Sequence, residues 1–411
     1  MTYRPSYRSS QPSRARTSGV RSFGGGGNSR PQRNKARGAY IHPSKFINKA
    51  VTVAEEVIYE PTHKFTDFHF NPTLQNNIDT KGYTAPSAIQ DQTIPLILDG
   101  KDVIGLANTG TGKTAAFALP ILELLRGTNQ GPLVLIMAPT RELAQQIEEQ
   151  FRDFSRGMNI FNAICVGGTN IDRQIRDLRR RPQVVIGTPG RLKDLLNRRE
   201  LKLDQIKMLV LDEADRMLDM GFVNDMRAII GAVPKDRQTL FFSATITSSI
   251  NSLIDEFLND PVTVSVRTAE TSEHVDQDIV EAGSKEEKLE ILTKLLEGSD
   301  FDKVLVFGET KFGVQRLSDH LEKSGISAVA IHGNKSQSQR QRALKSFKDN
   351  KVRVMVATDV AARGLDIPNV SHVINFDQPA SYDDYIHRIG RTGRGGASGK
   401  ALTFVPTQRN S

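Results

Sequence analysis

The chain has 411 residues, 38% hydrophobic and 25% charged, enough apolar material for two or three ordinary globular cores. It contains no apolar run of about 18 residues, which excludes a helical membrane span, and its one cysteine, Cys165, excludes an internal disulfide and any zinc site built on several thiolates. The formal charge of +8 is unevenly spread: residues 1–50 hold eight Arg, three Lys and no acid, whereas residues 51–411 hold 44 basic and 47 acidic residues, a balance of −3.

The amino-terminal stretch, YRPSYRSSQPSRARTSGVRSFGGGGNSRPQRNKARG at residues 3–38, is rich in Arg, Ser, Gly and Pro and poor in aliphatics. Such a composition cannot bury enough surface to offset the entropy of ordering, so residues 1–61 are expected to be a disordered basic tail. An acid-free basic segment attracts polyanions, and the preferred reading is an accessory nucleic-acid-binding arm. An inert solvated leader and a targeting segment remain as alternatives, although the glycine quartet and three prolines spoil the amphipathic helix that targeting would need.

From residue 62 short β-branched runs alternate with helical stretches. DVIGLA (102–107), PLVLIMAP (132–139), QVVIGTP (183–189), KMLVLD (207–212) and TLFFSA (239–244) read as buried parallel strands, and TRELAQQIEEQFRDF (140–154) as a helix between two of them. The polar segment RTAETSEH (267–274) breaks the pattern, which restarts in KVLVFGE (303–309), SAVAIHG (327–333), VRVMVATD (352–359), HVINFD (372–377) and KALTFVP (400–406). The prediction is therefore two α/β domains, residues 62–266 and 275–411, joined by a linker at 267–274. In open parallel sheets ligands sit at the carboxyl ends of strands, and each motif below begins where a strand stops.

In GLANTGTGKTAAFALP (105–120) a strand ends, a glycine-rich turn follows and a helix opens. Gly110 and Gly112 let backbone N–H groups face one concavity, Lys113 can reach terminal phosphates and the Thr114 hydroxyl can bind Mg²⁺; the helix N-terminus adds partial positive charge. Ala107 stands where a phosphate loop usually has its first glycine. VLDEADRM (210–217) brings three carboxylates within four positions. Asp212 suits Mg²⁺, partly through water, Glu213 suits activation of an attacking water, and the hydroxyls of SAT (243–245) suit the Asp215 carboxylate. A glycosidase-like acid pair is disfavoured beside a phosphate loop. Upstream, Gln90 of GYTAPSAIQ can pair with an adenine edge, with an aromatic of FTDFHF (65–70) stacking on the base. Downstream, YIHRIGRTGR (385–394) spaces His387, Arg388, Arg391 and Arg394 so that several can face one way. An arginine supplied to a γ-phosphate is worth about 10³–10⁵ in rate.

Together these residues resemble the DEAD-box ATP-dependent RNA helicases of superfamily two, over residues 62–407, with a compact motif spacing similar to bacterial members. The resemblance implies two RecA-like domains that close over ATP, Mg²⁺ and single-stranded RNA. Phe65 matches the adenine-stacking aromatic, and Gln90 the adenine-reading glutamine of the Q motif (65–90). Ala107, Asn108, Thr109, Gly110, Thr111, Gly112, Lys113 and Thr114 match motif I, the alanine being the family's own habit. DEAD (212–215) is motif II. Ser243, Ala244 and Thr245 are motif III, which with Asp215 and His387 couples hydrolysis to strand separation. Pro139, Thr140, Arg141, then Gly167, Gly168, then Thr188, Pro189, Gly190, Arg191 match the RNA-facing motifs of the first domain. In the second, Thr310 of FGET, Gln337 and Arg340 of the QxxR element, and Thr358 and Arg363 of motif V are implied RNA contacts. Gly364 and Asp366 approach the nucleotide. Arg391 resembles the arginine finger and Arg394 its companion. Gly308 replaces a larger apolar residue and Asn334 a frequent Asp.

These motif types grip phosphates and sugars without reading bases, and contact with 2′-hydroxyls would prefer RNA over DNA. Trp is absent and aromatics total 6%, so stacking-based sequence selection is not expected. The implied function is RNA-stimulated ATP hydrolysis driving local, non-processive unwinding, with an ATP-gated RNA clamp as the alternative and a DNA helicase as a weaker one. A cytoplasmic monomer without a membrane partner is expected. Only TQRNS (407–411) follows the last strand, so no appended recognition domain is expected.

Overall fold

The computed structural model describes residues 41–49, 59–108, 110–128, 131–266, 275–298, 300–362, 367–393 and 399–407. The first lobe holds strands β1 (Val103–Ala107), β2 (Val134–Met137), β3 (Asn162–Cys165), β4 (Val184–Gly187), β5 (Met208–Leu211), β6 (Gln238–Ser243) and β7 (Val262–Val266). The second holds β8 (Val275–Ala282), β9 (Val304–Phe307), β10 (Ala328–Ile331), β11 (Val354–Ala357), β12 (His372–Asn375) and β13 (Gly399–Pro406). The sheet orders are β3-β4-β2-β5-β6-β1-β7 and β10-β11-β9-β12-β13-β8. Every strand pairing within them is parallel. The fold is therefore two RecA-like α/β lobes in tandem.

Period-two alternation explains the apolar runs. Along β5, Met208 and Val210 enter one core cluster while Leu209 and Leu211 enter the other, on the opposite face. Val304 and Val306 of β9 likewise part from Leu305 and Phe307. A strand covered by helices on both faces needs an apolar residue at every position. The strands that sequence reasoning missed, β3, β7 and β8, all lie at sheet edges. Of β7 only Val264 is buried, and β8 reads VDQDIVEA, so neither makes a continuous run.

The order of the first sheet divides its carboxyl edge by function. Adjacent strands β5, β6 and β1 end at Asp212, Ser243 and the phosphate loop, while β3, β4 and β2 end at Val166, Thr188 and Pro139. Sequence-distant motifs are thereby collected into two neighbouring sites on one edge.

The tail is shorter than the sequence reading drew it. Within residues 1–61, Pro43–Phe46 forms a 3₁₀ turn, Phe46 is buried, and Asn48 pairs with Gln277 of β8. Composition averages over the window and cannot register one anchoring aromatic. The remaining tail to residue 40, residues 50–58 and the 267–274 linker lie outside the described residues.

Candidate active site and adjoining groove

β1 is a rigid buried mount that stops at the phosphate loop. Gly110 and Gly112 adopt φ of 92° and 93°, the left-handed region in which a Cβ is costly. Gly112 is required for a second reason: a Cβ there would collide with Gln90 Nε2. Gln90 donates to the Gly112 carbonyl at 3.1 Å and accepts from Ser87 N at 3.0 Å, and Ser87 Oγ donates to the Thr111 carbonyl at 2.8 Å. The Q-motif helix, Ala88–Leu98, is thus bonded directly to the phosphate loop. Thr111 Oγ1 donates to the Asn108 carbonyl, and buried Lys113 donates to the Ala107 carbonyl at 2.8 Å.

Gly110, Gly112, Lys113, Thr114, Asp212 and Glu213 line one cavity of about 380 Å³. Burial, opposed by Lys113 and reinforced by Glu213 and Asp215, pushes the Asp212 carboxyl up to about 7. Glu213 sits at φ 51° and its Oε2 lies 2.5 Å from Arg216 Nη1, both side chains being buried. Arg216 was missed from the sequence, although it follows Glu213 at the i+3 position on the next helical turn. Asp215 Oδ2 accepts from Ala244 N, Thr245 N and Thr245 Oγ1 at 3.1, 3.1 and 3.2 Å. Ser243 Oγ instead donates to the Thr245 carbonyl. His387 of the second lobe lines the same cavity, of about 730 Å³, as Asp215 and Thr245. Among the described residues no group of three His, Cys, Asp or Glu side chains converges as a metal cage.

Two candidates are placed differently from the expectation. Phe65 is 3% exposed and packs edge-on to Phe68 and Tyr83, with centroids 6.2 and 6.0 Å away. Tyr83 is the aromatic that lines the phosphate-loop cavity, because the core claims the ring of Phe65. Arg391 is buried at the end of the helix Tyr382–Ile389 and donates to the His387 carbonyl at 3.3 Å. The second-lobe residue lining the phosphate-loop cavity is Lys348. Arg388 is structural: it forks onto Asp359 at 2.6 and 2.7 Å and also bonds Asn375 and the Asp377 carbonyl. Thr109, Arg363, Gly364, Asp366 and Arg394 lie outside the described residues.

A groove of about 420 Å³ opens at the β3-β4-β2 half, lined by Pro139, Thr140, Arg141, Gly167, Thr188, Gly190 and Arg191. Thr140 caps the helix Arg141–Phe154 through Leu143 N, and Thr188 precedes Pro189, first residue of Pro189–Asn197. Two helix N-termini, each favouring anions, therefore start at the groove. The Arg141 guanidinium lies against Gly167 and Gly168, and a Cβ at Gly168, φ 74°, would collide with it. Burial, then repulsion from Arg340, holds Arg141 below the usual guanidinium range. Arg191 is oriented by Gln174, which accepts at 3.0 Å and donates onward to the Val166 carbonyl. Gln174, Met220 and Phe222 were not anticipated, since nothing local in the sequence ties them to a motif.

From the second lobe Gly333, Arg340 and Val360 complete this groove. Arg340 Nη2 also lies 2.9 Å from Glu142 Oε2, and Gln337 Nε2 donates to Glu142 and Gln145, each at 3.2 Å. These two residues, expected on RNA, bridge the two lobes in the structure, Arg340 lining the groove as well. Thr310 caps the helix Lys311–Lys323 and lines a separate cavity with Gly308 and Lys288. Thr358 precedes the helix Asp359–Ala362.

Fold and site together define a two-lobed α/β protein of the phosphate-loop class, with a second groove, lined by three arginines and two carboxylates, on the same sheet edge. The first lobe matches the DEAD/DEAH box helicase model over residues 87–253, and the second the helicase conserved C-terminal domain over residues 287–396. The chain is 48% identical over 343 residues to the ATP-dependent RNA helicase CshA of Limosilactobacillus reuteri, covering 83% of this chain and 69% of that protein. Its structure is similar to S. cerevisiae Dbp5 bound to RNA and ADP BeF3, with TM-score 0.75, 32% identity and coverage of 84% and 90%. It is also similar to Mss116p bound to ssRNA and AMP-PNP, with TM-score 0.77, 30% identity and coverage of 85% and 76%. The chain belongs to the DEAD-box family of ATP-dependent RNA helicases. No helix among the described residues is long and apolar enough to cross a membrane.

Proposed function

We propose that the chain couples RNA-stimulated ATP hydrolysis to local, non-processive separation of short RNA duplexes or remodelling of ribonucleoproteins, acting as a monomer in the cytoplasm. The observation that carries this reading is the shared sheet edge: the triphosphate cavity and the groove are adjacent, and residues of both lobes line each. Backbone N–H groups of the phosphate loop and Lys113 hold the β- and γ-phosphates, Lys113 exchanging its bond to the Ala107 carbonyl for them. The Thr114 hydroxyl and the Asp212 carboxylate fit Mg²⁺, which takes one or two protein oxygens and fills its other positions with phosphate and water. When bound, the cation would offset phosphate charge and favour the ionised form of the Asp212 carboxyl, which burial pushes up to about 7.

Glu213, fixed by Arg216, orients the attacking water and takes its proton. The water oxygen bonds to the γ-phosphorus as the bond to ADP breaks, with Arg391 exchanging the His387 carbonyl for the phosphates and neutralising the developing charge. RNA is held by its backbone at the two helix N-termini, Arg141 and Arg191. Phosphate release opens the lobes and divides the groove, so each ATP supports one local event.

A second reading is an ATP-gated RNA clamp. The 2.5 Å Glu213–Arg216 ion pair favours it, because Arg216 occupies an oxygen of the carboxylate that would have to receive the water's proton. Duplex separation discriminates: the helicase reading expects the parent chain to separate short duplexes with ATP and Glu213→Gln to lose this as turnover falls by about 10²–10⁴ with ATP-dependent RNA binding retained, whereas ATP-dependent binding without separation by the parent favours the clamp. Brisk residual turnover would remove Glu213 as the base.

A further inference from the structure

The amino-terminal segment touches both lobes. Its first anchor is on the second lobe. Phe46 is fully buried with its ring 4.8 Å from that of Tyr385, and Lys45 Nζ lies 5.2 Å over Tyr382. Asn48 N donates to the Gln277 carbonyl at 3.0 Å, and Gln277 N to the Asn48 carbonyl at 2.7 Å. Tyr385 in turn donates to Gln277 Oε1 at 2.9 Å. Tyr382 and Tyr385 belong to the helix that ends just before Arg391.

The second anchor is on the first lobe. Asp91 accepts four hydrogen bonds from three residues: Tyr59 Oη at 2.5 Å, Thr62 N at 2.8 Å, His63 N at 3.0 Å and the His63 ring at 2.7 Å. Burial would raise the Asp91 carboxyl, but these bonds outweigh it and hold it below the usual range. Asp91 adjoins Gln90, whose amide is bonded to the phosphate loop.

We propose that residues 41–49 and 59–63 form a second tether between the lobes and position the helix that leads into Arg391, Phe46 being its positioning residue. Ten Cα steps separate Lys49 from Tyr59, so engaged anchors stand no more than about 35 Å apart. The chain also crosses between Val266 and Val275. A second connection limits how far the lobes can separate and so raises the effective concentration of each for the other. The inference rests on the proposed role of Arg391 and on closure.

The test uses the full chain, with RNA-stimulated and unstimulated ATP turnover, ATP-analogue affinity and inter-lobe fluorescence transfer as readouts. Phe46→Ala should lower RNA-stimulated kcat about tenfold and raise the RNA concentration for half-maximal stimulation, with nucleotide affinity unchanged; Phe46→Leu should recover most of the loss. About thirty Gly/Ser residues inserted after Lys49 keep both anchors intact. They lengthen the connection fourfold, which lowers effective concentration about eightfold at most by the three-halves power law. An inserted chain that turns over and closes like the unmodified one overturns the tether, whatever Phe46→Ala does. If Phe46→Leu fails to recover what Phe46→Ala loses while the second lobe melts normally, the positioning role is overturned. Arg391→Ala in parallel separates the readings: turnover surviving it refutes the arginine role, independently of the insertion.

Discussion

Replacing Arg340 by Ala strips a buried carboxylate of its cation. The Glu142 and Arg340 side chains are 3% and 10% exposed, with the ion pair at 2.9 Å. Removing one partner of such a pair costs about 3–5 kcal/mol, because the survivor stays charged in a poor dielectric. Gln337 still donates to Glu142 at 3.2 Å, which places the loss near the lower end. About 3 kcal/mol is two orders of magnitude in an equilibrium. The equilibrium concerned is lobe closure, since the partners come from different lobes. Fluorescence transfer between dyes on the two lobes, with a non-hydrolysable ATP analogue and titrated RNA, should show half-closure shifted about a hundredfold upward in RNA concentration. The double variant Glu142→Ala/Arg340→Ala leaves no orphan charge and should recover to within about tenfold of the parent. Arg340 also lines the groove, and its buried Nε has no hydrogen-bond partner among the described residues. If Glu142→Ala is silent while Arg340→Ala is not, or if the two losses simply add, the pair is not a closure contact and Arg340 acts on RNA alone.

Thr245→Val removes one of the three donors on Asp215 Oδ2, and phosphate release should stay within a few-fold while duplex separation drops; equal losses in both assays would deny the coupling role. Burial pushes the Cys165 thiol up to about 12, so a thiol reagent at pH 8 should leave the folded chain untouched and label one site after denaturation; rapid labelling of the native chain would contradict that burial. Burial, with help from nearby Lys335 and Lys400 respectively, holds His332 and His372 below the usual imidazole range. Between those lowered values and the unfolded pKa of about 6.5 the unfolded chain binds more protons, so stability is full above about 6.5 and falls as the pH drops. Thermal melts from pH 7 to pH 5 should show this, and His372→Gln should flatten the slope by up to one proton; an unaltered slope would remove His372 from the account.

The central strands were legible because burial on both faces demands unbroken apolar runs. The edge strands β3, β7 and β8 were not, because an edge tolerates polar residues on its open side. The phosphate loop and DEAD segment were legible for another reason: their chemistry needs contiguous residues at the end of one strand. Contacts that cross between elements left no such trace. Tyr83, Gln174 and Lys348 reach the sites only through tertiary packing, and Glu142 looks from the sequence like an ordinary exposed helix residue. Arg216 was the accessible omission, lying on the same helical face as the carboxylate it pairs with. Phe65 shows the converse, in that motif position identified the residue while the core determined where its ring goes.

The pairing of Asn48 with β8 has a consequence for solubility. β8 is the outermost strand of its sheet, and Asn48 occupies backbone groups of Gln277 that would otherwise be open. Unpaired strand edges recruit other strands, and natural chains protect them with covers of this kind. Phe46 meanwhile shields Tyr385, Ile389 and Val405. A chain trimmed at the start of the first lobe would therefore bare a hydrogen-bonding edge beside an apolar patch. Such a truncation should self-associate with rising concentration, through a surface that the intact polypeptide keeps covered with its own backbone.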